Sequence, residues 1–307
     1  MKKYQHFLFA ALAVLLTVVF YAPILRAEYR VKEIRDVVYK EVDGEKITLN
    51  LFLPQKDGAS VENLPTLIFL DSGCWYSNGP GNGAFWGSDV WNCAARGYAV
   101  VSVGHRSLTH VVFPAQIEDV RAAVRFLRAH AAEYGLDPNR FASMGCSSGG
   151  HLSTTLGIAD NVSPFDVGEN LDQSGQVNVV VDFYGPTDFT TYLEHLDSGN
   201  PACVYMVLGG NAEKDYPLQV ESLLRAAYRY STVNYVNADY APTIIFHGVV
   251  DPVVPISQSA LFYESLRRHG VKSKFIVSNV GVHDVRSLDD LEVIRKQIFD
   301  FLKEFGF

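Results

Sequence analysis

The chain has 307 residues, a formal net charge of −8 and four cysteines. That length can bury a full core as one large domain, and the acidic balance argues against nucleic acid as a partner, because phosphate binding needs a basic face. Cys74, Cys93, Cys146 and Cys203 contain no Cys-x-x-Cys and match no zinc spacing.

The first residues read as a targeting segment. Lys2 and Lys3 precede an apolar run from Phe7 to Leu25, followed by Arg26-Ala27-Glu28. A basic start, an apolar centre and a small residue at a cut after Ala27 describe an export signal. The alternative is an uncleaved membrane anchor, since residues 7–25 number 19, about the length that spans a bilayer. Pro23 near the end of the run fits cleavage better. Removing 1–27 leaves 280 residues (307 minus 27); with Lys2, Lys3 and Arg26 gone the formal charge becomes −11. The expectation is an exported protein, periplasmic or secreted, with residues 28–307 forming a single domain.

Asp36–Val42 and Lys46–Phe52 read as strands joined at Asp43-Gly44, a strong hairpin signal. Residues 65–70 form an apolar run suited to a sheet covered on both faces, ending at Asp71-Ser72-Gly73-Cys74-Trp75. A Gly-rich, aromatic loop over 79–87 leads to a helix at 88–95 and a strand at 98–103. Pro114 begins the clearest helix: Ile117, Val120, Val124 and Leu127 share one face, Arg121, Arg125 and Arg128 take the other, and Gly135 closes it. Residues 140–143 are a strand and 152–156 the start of a helix. Val177–Phe183 is a strand, and 189–240 an irregular insertion. Thr243–Phe246 and Lys274–Val277 are strands flanking a helix from Ile256 to His269, and Ser287 with Asp290 marks the start of the last helix. Alternating strands and helices imply an α/β architecture: a mostly parallel sheet with an antiparallel N-terminal hairpin and helices on both faces.

Between the strand at 140–143 and its helix lies Gly145-Cys146-Ser147-Ser148-Gly149. A Gly-x-Ser-x-Gly at a strand-to-helix turn is a nucleophile elbow, exposing the serine hydroxyl. A serine nucleophile needs a base, an acid to hold the base, and amides for the oxyanion. Ser147, Asp251 and His283 follow strand ends in the order this hydrolase architecture uses. His105, His110, His151 and His247 are rivals for the base. His151 is expected to pack behind the elbow and His247 to be a structural hydrogen-bond partner. Asp188 is the rival acid, and Asp284 a solvated loop residue.

The block from Pro114 through Leu152, with Glu118-Asp119-Val120-Arg121-Ala122-Ala123, Tyr134-Gly135-Leu136-Asp137-Pro138-Asn139-Arg140 and the elbow, resembles the α/β-hydrolase esterases. It is most similar to the acetylxylan and feruloyl (carbohydrate) esterases, related to the hormone-sensitive-lipase-like carboxylesterases. Tyr184-Gly185-Pro186-Thr187-Asp188 and the run from His247 to Pro255 fit the same group, and the resemblance covers about residues 35–305. It implies serine hydrolysis, with no metal or cofactor, of short-chain acyl esters, acetyl above all, on a sugar or alcohol. The family's usual His-Gly-Gly-Gly-Trp is here Asp71-Ser72-Gly73-Cys74-Trp75, so the oxyanion-hole role falls to the amides of Gly73, Cys74 and Ser148.

That departure raises four expectations. Cys74 is strained if it must adopt a glycine conformation. Asp71 needs a partner, for which Arg106 is the candidate. Cys74 and Cys146 could form a disulfide, if their Cα atoms lie within about 7 Å. Trp75 or Trp86 could stack on a sugar or aromatic acyl group, while Trp91 reads as packing. Two other functions stand as alternatives: a serine peptidase of the prolyl-oligopeptidase type, for which no length remains for the extra domain, and a degenerate hydrolase fold used for binding.

Overall fold

Asp43 (φ 51°) and Gly44 (φ 82°) both take left-handed backbone, the signature of the tight hairpin turn their sequence announces. The strands on either side are β1, Tyr29–Val42, and β2, Glu45–Lys56, both longer than the alternation alone indicates. The computed structural model describes residues 29–76, 79–81, 89–192, 207–208 and 220–307. Along the chain follow β3 (Ala59–Ser60), β4 (Leu64–Leu70), α1 (Asp89–Ala94), β5 (Ala99–Val103), α2 (Ala115–Ala129) and α3 (Ala131–Tyr134). Then come β6 (Leu136–Cys146), α4 (Ser148–Thr155), β7 (Val179–Phe183), α5 (Phe189–Tyr192) and α6 (Val220–Tyr230). The chain ends with β8 (Thr243–Gly248), α7 (Ser257–Arg268), β9 (Ser273–Ser278) and α8 (Leu291–Lys303).

The described strands form one sheet in the order β1-β2-β5-β4-β6-β7-β8-β9, with β3 beside β2. β1, β2 and β5 pair antiparallel, and every pairing from β5 to β9 is parallel. Alternate side chains of the central strands feed two cores, as the period of a strand requires. Ile68 and Leu70 of β4 join Ile117, Val120, Val124 and Leu127 of α2 on one side. Leu67 and Phe69 join Ile294, Ile298 and Phe301 of α8 on the other. Parallel register brings the carboxyl ends to one edge: Leu70 is opposite Gly145, Cys146 opposite Phe183, Phe183 opposite Phe246, and Gly248 opposite Ser278. The loops that begin at 71, 147, 184, 249 and 279 therefore open on the same side of the sheet.

Two local readings need correction, and one helix face gains partners that the spacing does not name. The helix expected from Pro114 to Gly135 breaks at His130 (φ −107°) into α2 and α3, with Gly135 (φ 70°) closing the second. Its arginine face is covered, because residues 157–178 fold across it. Arg121 and Arg125 are buried there, and Asp166 accepts from both, at 2.7 and 2.5 Å. Arg128 donates to the carbonyls of Ser174 and Gln176. Removing Asp166 would leave the buried Arg125 without its ion pair, typically a loss of about 3–5 kcal/mol, while Arg121 would keep Asp160 at 2.8 Å. Finally, α8 is capped by Asp290, whose carboxylate accepts from the Glu292 N–H at 2.8 Å, while Ser287 ends a separate 3-10 turn.

Of the insertion expected at 189–240, α5, α6 and a 3-10 turn at Thr232–Tyr235 are described; residues 193–206 and 209–219 lie outside the described residues. So do 1–28, and with them the targeting segment. Among the described residues no helix is long and apolar enough to cross a membrane.

Candidate active site

Ser147 connects β6 to α4 at φ 55°, ψ −124°, a conformation that costs an L residue of order 1–3 kcal/mol. It is over-determined by its neighbours. The Ser147 N–H donates to the Phe183 carbonyl at 2.9 Å, and the Ser147 carbonyl accepts from the His151 N–H at 3.0 Å. Both flanking glycines are required by close backbone approach. A Cβ on Gly145 would stand 2.1 Å from the Gly149 carbonyl oxygen, and one on Gly149 would stand 2.1 Å from that of Leu70. The first turn of α4 is thus pressed onto the end of β4, where the loop 71–75 begins.

That loop answers the question posed by its missing glycines. Gly73 sits at φ 117°, Cys74 at 56° and Trp75 at 58°, and the Tyr76 N–H donates back to the Gly73 carbonyl at 3.0 Å. Two successive left-handed residues inside such a bond carry the φ signature of a type I′ turn. Cys74 therefore does adopt the backbone a glycine would favour, at roughly 1–2 kcal/mol. It is also disulfide-bonded, whereas Cys146 is a free thiol, so the expected Cys74–Cys146 bridge is not formed. The sulfur of Cys146 instead lies beside the Ser72 and Tyr184 side chains; burial, outweighing their effect, pushes its thiol up to about 11.

The partner suggested for Asp71 is engaged elsewhere. Arg106 donates through Nε and Nη2 to Asp119, at 2.9 and 2.8 Å, and Asp119 also takes Lys40 Nζ at 2.6 Å. The Asp71 carboxylate lies against Gly81, where an added Cβ would meet Oδ2 at 2.1 Å, and burial raises its pKa. Trp75 is no sugar platform: it is 4 % exposed and meets Phe113 and His151 edge-on at 5.6 Å. Trp86 lies outside the described residues.

At the ends of β8 and β9 the structure joins two of the residues singled out by order alone. His283 Nδ1 lies 2.7 Å from Asp251 Oδ2. A carboxylate only accepts, so Nδ1 donates and Nε2 is left with its lone pair. Asp251 Oδ1 accepts the N–H groups of Val253 and Val254 at 2.8 and 3.0 Å, and its side chain is 0 % exposed. Burial alone would raise the Asp251 pKa, but hydrogen bonds from His247, His283 and the Val254 amide hold it well below the usual carboxylate range. His247, read as structural, has Nε2 at 2.9 Å from the Val254 carbonyl and 3.4 Å from Asp251 Oδ2, and Nδ1 at 2.7 Å from Ser259 Oγ.

The rivals are occupied elsewhere. His151 is buried, with Nε2 donating to the Tyr230 carbonyl at 2.9 Å. His105 is buried beside the Arg106 carbonyl, and His110 is exposed. Asp188 accepts from the Thr190 N–H at 2.9 Å and so begins α5. Asp284 caps the 3-10 turn and pairs with Arg286 at 2.7 Å. Among the described residues no group of three or more His, Cys, Asp or Glu side chains is disposed to hold a metal.

Two residues at the site escaped the sequence reading. The ring of Tyr184, just past β7, lies 4.5 Å from that of His283. Asp182, inside β7, is fully buried beneath the elbow. Its Oδ1 accepts the Gly185 N–H at 3.1 Å, its Oδ2 has no hydrogen-bond partner, and burial pushes its carboxyl up to about 7 despite the opposing pull of His247. An apolar run gives no hint of an aspartate used this way.

A protein-family model described as BD-FAE matches residues 49–266, most of the chain. The chain belongs to the BD-FAE family. The matched stretch takes in the loop 71–75, the elbow and Asp251, and stops short of His283. Among curated relatives, the probable carboxylic ester hydrolase LipM of Mycobacterium tuberculosis is 30% identical over 205 residues, covering 66% of this chain and 45% of LipM. Esterase LipQ of the same organism is 27% identical over 250 residues, covering 80% of this chain and 56% of LipQ. The chain thus spans about half the length of these relatives. A solved structure titled as a truncated carbohydrate esterase from gut microbiota superposes with a TM-score of 0.71 at 26% identity, covering 91% of this chain and 97% of that one. The fold is that of the α/β-hydrolases.

Proposed function

We propose that the protein is a serine esterase that hydrolyses short-chain acyl esters, acetyl first among them, through an acyl-enzyme. The observation that carries this reading is the strained Ser147 held at the carboxyl edge of the sheet by two glycines that admit no side chain. The tautomer set by Asp251 leaves His283 Nε2 to take the Ser147 proton as Oγ attacks the ester carbonyl. The oxyanion would be received by the amides of Gly73, Cys74 and Ser148, each donor worth on the order of 100- to 1,000-fold in turnover. His283 returns the proton to the leaving alcohol, and water, activated by the same nitrogen, releases the acid. Esterase relatives support the ester bond, and the carbohydrate esterase neighbour supports a sugar as the alcohol.

We also place the protein outside the cytoplasm, in the periplasm or secreted. The targeting segment supports this, and so does a disulfide at Cys74, because such bonds persist in oxidising compartments. The deciding assay compares 4-nitrophenyl acetate, acetylated xylo-oligosaccharide and a peptide anilide. Turnover of both acetates without the anilide is expected. Turnover of the anilide alone would favour a peptidase, and turnover of none at any pH a binding protein.

A further inference from the structure

Tyr184 makes no contact with substrate in that scheme, yet its backbone is strained and its ring faces the base. Its φ is 44°, a left-handed value that bulky residues adopt only where the surroundings over-determine it. Those surroundings are specific. The Tyr184 N–H donates to the Phe246 carbonyl at 2.9 Å, and the side chain leaves the residue 3 % exposed. Its ring centroid lies 4.5 Å from that of His283 at an interplanar angle of 52°, and 6.1 Å from that of His247. Its hydroxyl lies near the Cys146 sulfur and the Val285 backbone amide. Cys146 adjoins Ser147, and Val285 lies two residues past His283. One side chain therefore spans the elbow and the histidine loop.

The Asp251 hydrogen bond fixes His283 at Nδ1 but leaves the imidazole free to tilt about that bond. A side chain only 18 % exposed is stopped from tilting by the groups packed around it, and here the tilted Tyr184 ring is one of them, 4.5 Å away between centroids. We propose that Tyr184 is a positioning residue, whose ring, packed between the elbow and the histidine loop, sets the direction of His283 Nε2 toward Ser147. Cys146 adds no charge beside the ring, since its half-buried thiol, pushed up to about 11, stays protonated at neutral pH. The proposal rests on the serine esterase reading and deepens it.

The test compares Tyr184→Phe and Tyr184→Leu with the unaltered protein on 4-nitrophenyl acetate, with kcat expressed per site titrated by a fluorophosphonate. Normalising to titrated sites removes any misfolded fraction from the comparison. Misplacing a reacting group by about 1 Å costs roughly 100-fold. Tyr184→Leu is expected to lower kcat by about that factor, with KM within about twofold. Tyr184→Phe keeps the ring and is expected to retain kcat within about fivefold. Unchanged kcat in the leucine variant, a loss expressed in KM, or equal loss in both variants would overturn the assignment. Unaltered protein that takes up no phosphonate would instead remove the esterase reading, so the two failures are distinct.

Discussion

Asp251→Asn isolates the tautomer on which the proposed chemistry depends. Oδ1 of Asp251 accepts two backbone N–H groups, from Val253 and Val254 at 2.8 and 3.0 Å, so the asparagine carbonyl must occupy that position. The new NH2 then replaces Oδ2 and faces His283 Nδ1, which stood 2.7 Å away. Two donors cannot share a hydrogen bond, so His283 moves its proton to Nε2, the nitrogen meant to receive the serine proton. The fold keeps its two amide bonds and loses charge-assisted ones, a cost of about 1–3 kcal/mol. Activity should fall by about 10,000-fold in kcat, close to 5.5 kcal/mol of transition-state stabilisation. The assay is steady-state hydrolysis of 4-nitrophenyl acetate with thermal unfolding measured in parallel. A variant that folds and retains kcat within about tenfold would refute the assignment of Asp251.

Two further outcomes follow from the packing around the elbow. Gly149→Ala places a Cβ 2.1 Å from the Leu70 carbonyl oxygen of a central strand that cannot yield, so a loss above about 4 kcal/mol is expected, read as a fall of about 7 °C or more in Tm. A fall under about 2 °C would contradict the close approach. Asp182 titrates in the opposite sense to Asp251: its folded carboxyl keeps a proton up to about 7, whereas the unfolded one releases it at the ordinary value of 3.8. Across that window the native state binds the extra proton, so stability must decline as pH rises, by on the order of 4 kcal/mol in total. Urea unfolding at pH 4.5 and 8 should show that decline in the unaltered protein and a much smaller one in Asp182→Asn; equal declines would refute the burial argument.

The framework was legible because it rests on local signals. Asp43-Gly44 can only be a tight turn, Val177–Phe183 is too apolar for anything but a covered strand, and the order of Ser147, Asp251 and His283 follows from where parallel strands end. What escaped depends on long-range packing. The spacing puts the arginines of α2 on one face but does not say what covers them: residues 157–178 do, and Asp166 pairs with two. Arg106 looks like a partner for Asp71 but finds Asp119 on its own helix-facing side. Cys74 looks too large for a glycine site, yet a type I′ φ pattern tolerates it at a modest cost. Tyr184 carries no motif of its own beyond the family block, because its importance lies in a ring contact and a positive φ that no spacing encodes.

The central claim is that Ser147 is an activated nucleophile. Intact-mass measurement after incubation with a fluorophosphonate tests it directly, on the unaltered protein and on Ser147→Ala. The account predicts one adduct per chain in the first, mapped to Ser147, and none in the second. Equal labelling of both proteins, or of neither, would contradict it.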